Sequence, residues 1–238
     1  MMYNSNRLFQ ARRLRSCLTG IIVLLILLVG IGFFAYKLHT GNVITVDSGT
    51  TLFIDDCSGY VHIHADTSTN QVVLQNLGGL FVFPTHAQDS DTIIINGCNL
   101  DMTVPANINL NITADEIDVF GVSGQMKLTS NGGAISLVQD TLKGTSVLDD
   151  NGGPILFQGS LASAANPTFS SNGGSIDISL PGDASFQLKT TGILGTLTTN
   201  YAGITVTDTG VPNTTIGNSP QATLTLDVND SDVVLHRD

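Results

Sequence analysis

Apolar residues recur at fixed offsets between Leu128 and Ile178, in the form apolar-x-x-Asn-Gly-Gly-x-apolar-x-apolar. The copies are Leu128-Thr-Ser-Asn131-Gly-Gly-Ala-Ile135-Ser-Leu137, Leu148-Asp-Asp-Asn151-Gly-Gly-Pro-Ile155-Leu-Phe157 and Phe169-Ser-Ser-Asn172-Gly-Gly-Ser-Ile176-Asp-Ile178. Their asparagines lie 20 and 21 residues apart. The closing apolar pair, at i and i+2, lines one face of a strand. Asn-Gly-Gly supplies residues that accept positive φ, as a sharp corner needs. A unit of about 20 residues has room for two or three short strands and none for a crossover helix. Such a period means stacked units, each unable to bury its apolar face alone. The pattern predicts an all-β fold, a single-stranded right-handed parallel β-helix (solenoid). Hairpin turns in a β-sandwich would also use Asn-Gly-Gly, but they do not predict constant apolar offsets around it.

Weaker copies extend the series in both directions. Ile54 to Ile63, Ile93 to Met102, Leu110 to Val119, Leu197 to Val206 and Leu226 to Leu235 keep the apolar spacing, and Leu77 to Phe83 is a fainter candidate. The repeat argument then gives about nine rungs. A ladder of stacked corner residues is expected at Asn96, Asn131, Asn151, Asn172, Asn200 and Asn229. Amide side chains stacked in this way hydrogen-bond along the stack.

A second pattern precedes the repeat. Leu18 to Tyr36 carries no charge, and Arg7, Arg12, Arg13 and Arg15 come before it. A run of this length approaches the ~20 residues of a membrane-spanning helix. It is longer than a signal-peptide core and lacks a small-x-small cleavage site. The expected division is a basic cytoplasmic tail over 1–17, a transmembrane signal anchor over 18–36, a connector over 37–50 and a β-helix ectodomain over 51–238. The arginines place the amino end in the cytoplasm and the repeat domain outside a single-pass cell-membrane protein.

Charge sharpens this picture. All 20 acidic residues follow residue 40, where only Lys127, Lys143, Lys189 and Arg237 oppose them. Sixteen negative charges are therefore uncompensated in the repeat region, which argues against nucleic acid as a partner. Charged residues make up only 12% of the chain, so Ser, Thr and Asn carry the surface. The later units lengthen, with extra residues at Pro181-Gly-Asp183 and across 209–219. Lengthened loops on a repeat protein tend to gather on one binding side.

Ser171-Asn-Gly-Gly-Ser-Ile-Asp-Ile-Ser-Leu-Pro-Gly-Asp-Ala-Ser-Phe-Gln-Leu188 resembles the DUF4097 family of adhesin-like domains. The closing stretch Ala222 to Leu235 looks like that family's terminal rung, with Asp230-Ser231 where glycine is usual. The resemblance spans about residues 50 to 235. It implies a β-helical, surface-exposed bacterial domain, and it brings no catalytic residues with it. Similar domains occur in membrane-anchored proteins linked to envelope-stress signalling.

Candidate chemistry is sparse. His62 and His64 could bind a transition metal, but the repeat register turns both outward and no third ligand is evident. Asp55-Asp56 and Asp149-Asp150 sit several units apart and cannot share a calcium ion. Neither a metal site nor a cofactor is expected. Polysaccharide lyases and hydrolases also use β-helices, but need an acid–base arrangement in a groove. The chain has no Trp to stack on sugars and one distal Arg. Asn111, Asn213 and Asn229 begin glycosylation triplets. Cys57 and Cys98 form a candidate disulfide only if their rungs are adjacent, since two steps exceed the ~7 Å Cα limit. The expected function is a non-enzymatic binding or adhesin-like scaffold with a surface glycan or protein ligand. An accessory or sensor of envelope-stress signalling, in contact with another membrane protein, is the alternative. A polysaccharide-active enzyme is the remaining reading.

Overall fold

The computed structural model describes residues 24–29, 42–76, 85–89, 91–202, 204 and 213–238. Two compact units divide at Gly41/Asn42. In the first unit the described part is a single helical stretch over 24–29. Among the described residues no helix is long and apolar enough to cross a membrane. The transmembrane signal anchor expected over 18–36, and the single-pass cell-membrane localisation built on it, are corrected accordingly. Of the apolar run, residues 24–29 are described, and they are helical. The rest of that run, Cys17 and the four leading arginines lie outside the described residues.

The second unit is all-β. Its strands are β1 (Asn42–Thr45), β2 (Thr51–Asp66), β3 (Gln71–Asn76), β4 (Thr85–Asp89), β5 (Thr92–Asn96), β6 (Leu100–Pro105), β7 (Asn109–Phe120), β8 (Ser123–Gly124) and β9 (Met126–Ser130). They continue with β10 (Ile135–Leu142), β11 (Val147–Asp150), β12 (Ile155–Leu161), β13 (Thr168–Asn172), β14 (Ser175–Leu180), β15 (Phe186–Thr199), β16 (Thr214–Ile216) and β17 (Ala222–Arg237). All belong to one 17-stranded sheet.

Alternation of buried and open positions sets which side chains face inward. In β6, for example, Leu100, Met102 and Val104 are buried while the residues between them are half-buried. Parallel pairing in register then stacks the inward residues of successive tiers. One buried row runs Leu100, Val61, Ile117, Ile135, Ile155, Ile176, Val233. A second runs Ile95, Ile54, Ile112, Leu128, Leu148, Phe169, Leu226. Phe169 of the second row meets Phe157, the next inward residue after Ile155 on β12, with ring centroids 5.6 Å apart, and both are fully buried. At roughly 25 cal/mol per Å² these rows supply the main stabilisation of the unit.

The solenoid expected from the repeat is corrected here. A solenoid adds each coil to the one before it. In this chain β2 lies between the tier of β5 and β6 and that of β7, although it precedes both in sequence. At the other end β17, the last strand, lies between the tier of β13 and β14 and that of β15. Moreover, β7 and β17 each bend at a corner and pair on both sides. The pairing path β7, β9, β11, β13, β17, β14, β12, β10 therefore returns to β7, and every step is parallel. The result is a closed, eight-stranded parallel barrel rather than a β-helix. Antiparallel strands flank it: β3 pairs with β6 and β1, β4 with β5, and β16 with β15. Covering exposed edges in this way blocks edge-to-edge association. The repeat phrase fixes how neighbouring central copies stack. It carries no information on which strand fills the end positions, because any strand with the right inward row fits there.

The Asn-Gly-Gly corners have two separate glycine requirements. Gly152 sits at φ 106°, which L side chains rarely adopt. Gly153 has a different constraint: a Cβ there would overlap the Gly133 carbonyl oxygen of the tier below. Backbone lies against backbone at this corner, so no side chain rotation relieves the overlap. Gly153→Ala should therefore destabilise the protein by more than about 2 kcal/mol, through forced separation of tiers. Ser136→Ala, on the outward side of β10, should change stability by less than about 0.5 kcal/mol. Urea unfolding of both variants checks this, and equal midpoints would contradict the corner geometry.

Candidate functional site

The outward residues of the stacked strands form rows as regular as the core. Thr113, Thr129, Asp149, Ser170, Asp227 and Thr191 follow one another across six tiers. Each is half-buried or exposed. The Thr191 hydroxyl donates to Asp227 Oδ1 at 2.7 Å, so the row is bonded along its length at that end. Neighbouring tiers lie ~4.8 Å apart, and the row offers hydroxyl or carboxylate oxygens at that interval. On the other ladder the outward positions are Asp101, His62, Asp118, Ser136, Leu156 and Asp177. His62 Nε2 lies 3.3 Å from Asp118 Oδ2, and Tyr60 stacks on the imidazole at 4.6 Å between centroids. His236 makes a similar pair with Asp177 at 3.3 Å.

The residues singled out from sequence distribute as follows. Asn172 Nδ2 donates to Asn151 Oδ1 at 3.1 Å, and Asn229 Nδ2 donates to Asn172 Oδ1 at 2.8 Å. These three form an amide ladder along one corner. Asn131 is exposed beside Gly132, at the equivalent turn one tier below. Asn200 sits elsewhere: its Oδ1 accepts from the Arg237 backbone N–H at 2.9 Å, at the end of β17. Asn96 ends β5 and stands opposite Thr85 of β4. The residue that stacks on Ile54 is Ile95, two positions after the Ile93 of the sequence alignment. That two-residue offset displaces Asn96 from the corner row.

Cys57 and Cys98 come from adjacent tiers, because β2 pairs directly with β5 and β6. The faint unit at 77–83, which would have separated them, lies outside the described residues. Both cysteines are free, with Cys57 buried and Cys98 partly buried. Burial, reinforced by a hydrogen bond with Cys98, pushes the Cys57 thiol up to about 12. His64 is exposed, and its ring centroid lies 6.1 Å from that of Phe120.

The acidic pairs split. Asp149 faces outward in the polar row while Asp150 is buried at the corner. Asp150 Oδ1 accepts from the backbone N–H of Gly132 at 3.3 Å and of Gly153 at 3.1 Å. Burial still raises its carboxyl above the ordinary range. Asp55 and Asp56 are both exposed. Part of the 209–219 loop meets Ser185, two residues after the 181–183 loop and just before β15. Ser185 Oγ donates to the carbonyls of Ile216, at 3.2 Å, and Asn218, at 2.9 Å. Residues 209–212 lie outside the described residues.

Sequence reasoning missed Asp140. It is 1% exposed, follows Gln139 at φ 62°, and accepts from the Val122 backbone N–H. Its other oxygen, Oδ2, is buried without a partner. Burial pushes its carboxyl up to about 7, with backbone N–H groups of Val122 and Val138 opposing. The outward-bulging Gln139 shifts the alternation by one residue, and no local sequence signal marks such a bulge.

No family model matches the chain, and no curated protein sequence does. Among solved structures, the chain is similar to the crystal structure of a "putative cell adhesion protein" from Clostridium sporogenes. The two share 10% sequence identity and superpose with a TM-score of 0.43, over 83% of this chain and 98% of the other.

Two predictions follow from the buried groups. Asp140 has a folded-state pKa raised above its unfolded value, so its contribution is most favourable below about pH 4 and is lost as pH rises towards 7. Asp140→Asn removes that dependence. Its melting temperature relative to the unsubstituted protein should rise between pH 4 and pH 8, reflecting up to roughly 4 kcal/mol. A constant difference across that range would show that Asp140 titrates normally. For Cys57, the scarce thiolate should make alkylation in the folded chain at pH 8 slower than in urea by more than about a hundredfold. Peptide mapping after timed iodoacetamide labelling reads the two rates, and similar rates would contradict the burial.

Proposed function

We propose that the chain is a non-catalytic, adhesin-like binding scaffold, in keeping with the resemblance of 171–188 and 222–235 to the DUF4097 family. The observation that supports this reading is the outward row of Thr113, Thr129, Asp149, Ser170, Asp227 and Thr191. A rigid line of hydrogen-bonding oxygens at a constant interval suits an extended polymer, which can contact every tier. The parallel ladders beneath hold the row in place without a ligand, which lowers the ordering cost of binding. The acidic surface favours a neutral or cationic glycan over an anionic one. Against catalysis, the two carboxyls with raised pKa point into the core and a corner. Their hydrogen-bond partners are backbone amides, not surface groups.

Binding of the full chain to immobilised neutral, cationic and anionic polysaccharides tests the proposal. Neutral or cationic chains should bind, and Thr129→Lys with Ser170→Lys should weaken binding by about tenfold or more. Leu156→Lys, on the other ladder, should leave it unchanged. Release of shortened oligosaccharides would overturn the non-catalytic reading. Binding that survives the double substitution would remove the row from it.

A further inference from the structure

His62, Glu116 and Asp118 come from two strands that the sequence separates by about fifty residues. Pairing places His62 opposite Asp118, and Tyr60 opposite Glu116. One donor atom from each of the three residues lies within 4.8 Å of the other two. We propose that these residues form a binding site for a divalent transition cation of the zinc class, with His62 Nε2 and one oxygen each from Glu116 and Asp118 as ligands.

Three observations converge on this. The first is distance. Two ligands bound tetrahedrally at ~2.0–2.1 Å from zinc stand about 3.3 Å apart. His62 Nε2 and Asp118 Oδ2 are 3.3 Å apart. The second is the state of the imidazole nitrogen. His62 Nε2 is buried and makes no hydrogen bond, although the side chain as a whole is half-buried. Its approach to Asp118 is close without the alignment of a hydrogen bond, and a cation between the two atoms would satisfy both. The third is positioning. Tyr60 stacks on the imidazole with an interplanar angle of 28°, which holds the ring towards the carboxylates. Glu116 is exposed and can close the remaining distance by side-chain rotation.

The donor set decides the class of ion. One imidazole with two carboxylates suits zinc and its neighbours in the transition series. Calcium takes six or more oxygens and is poorly served by a nitrogen ligand. Three protein ligands leave a fourth position for water or for a donor group of a partner. Asp101, opposite His62 on the strand at its other side, adds negative potential beside the site. His236 with Asp177 provides an internal comparison, since among the described residues that pair belongs to no three-ligand cluster.

The experiment is titration of the chelator-treated full chain with Zn²⁺, read by calorimetry and by competition with a chromophoric chelator. One equivalent should bind at this site. His62→Ala and, separately, Asp118→Asn should each weaken it by more than about tenfold, a loss that even outer-sphere partners cause. Circular dichroism checks that both variants remain folded. Glu116→Gln supplies a third variant on an exposed position that cannot affect the core. His236→Ala should leave the affinity unchanged. Absence of Zn²⁺ binding, affinity unaltered in all three ligand variants, or an equal loss in His236→Ala would each overturn the proposal.

Discussion

Backbone stacking at ~4.8 Å is the constraint on which everything else in the repeat unit depends. Once tiers pair in parallel and in register, identical positions must lie on top of one another. That forces apolar on apolar within the core, as along Ile117, Ile135, Ile155 and Ile176. It equally forces the corners together. Gly153 lies against Gly133, and Gly174 against Gly153, because nothing larger fits between successive backbones. The asparagines outside the same corner are then close enough for one amide to donate to the next. Core, corner and amide ladder are three consequences of one spacing.

Polar groups inside this stack carry a cost that the local backbone partly offsets. Ser130, Asp150 and Ser171 stack along the inner side of the corner. Ser130 Oγ donates to the Asp115 carbonyl at 2.8 Å, and Asp150 receives two backbone N–H groups. Asp140 and Asp150 each keep one buried oxygen, Oδ2, without a partner, and Asp140 is the more deeply desolvated of the two. A buried acceptor without a donor favours the protonated acid. The fold thus contains two carboxyls, Asp140 and Asp150, whose charge states are tied to tier packing rather than to solvent.

The same stacking that buries the core arranges chemistry on the outside. Residues chosen one per tier become neighbours regardless of their separation along the chain. The polar row from Thr113 to Thr191 arises in this way, and so does the meeting of His62 with Glu116 and Asp118. Insertion of β2 beside β7 is what brings the last group together. Insertion of the same strand beside β5 and β6 brings Cys57 to Cys98. Both clusters depend on the out-of-order tier.

The sequence by itself determined an all-β stacked unit, the inward register of Ile135, Ile155 and Ile176, and the glycine corners. These follow from short-range spacing, which a repeat of about 20 residues displays openly. It also suggested that His62 faces outward, since alternation along a strand is local. Tertiary structure alone decided the tier order and the closure of the eight parallel strands. Repeat spacing does not encode tier order, because several strands carry interchangeable apolar rows and the end positions accept any of them. Asn96 and Asn200 illustrate the limit. Each follows an apolar residue at the expected offset, yet one ends β5 opposite β4 and the other binds the end of β17. Asp140 illustrates it from the other side: a single bulge at Gln139 turned a charged side chain inward. Which carboxylates meet His62 was likewise a matter of which strand lies beside it, a contact set by long-range pairing that local spacing does not specify.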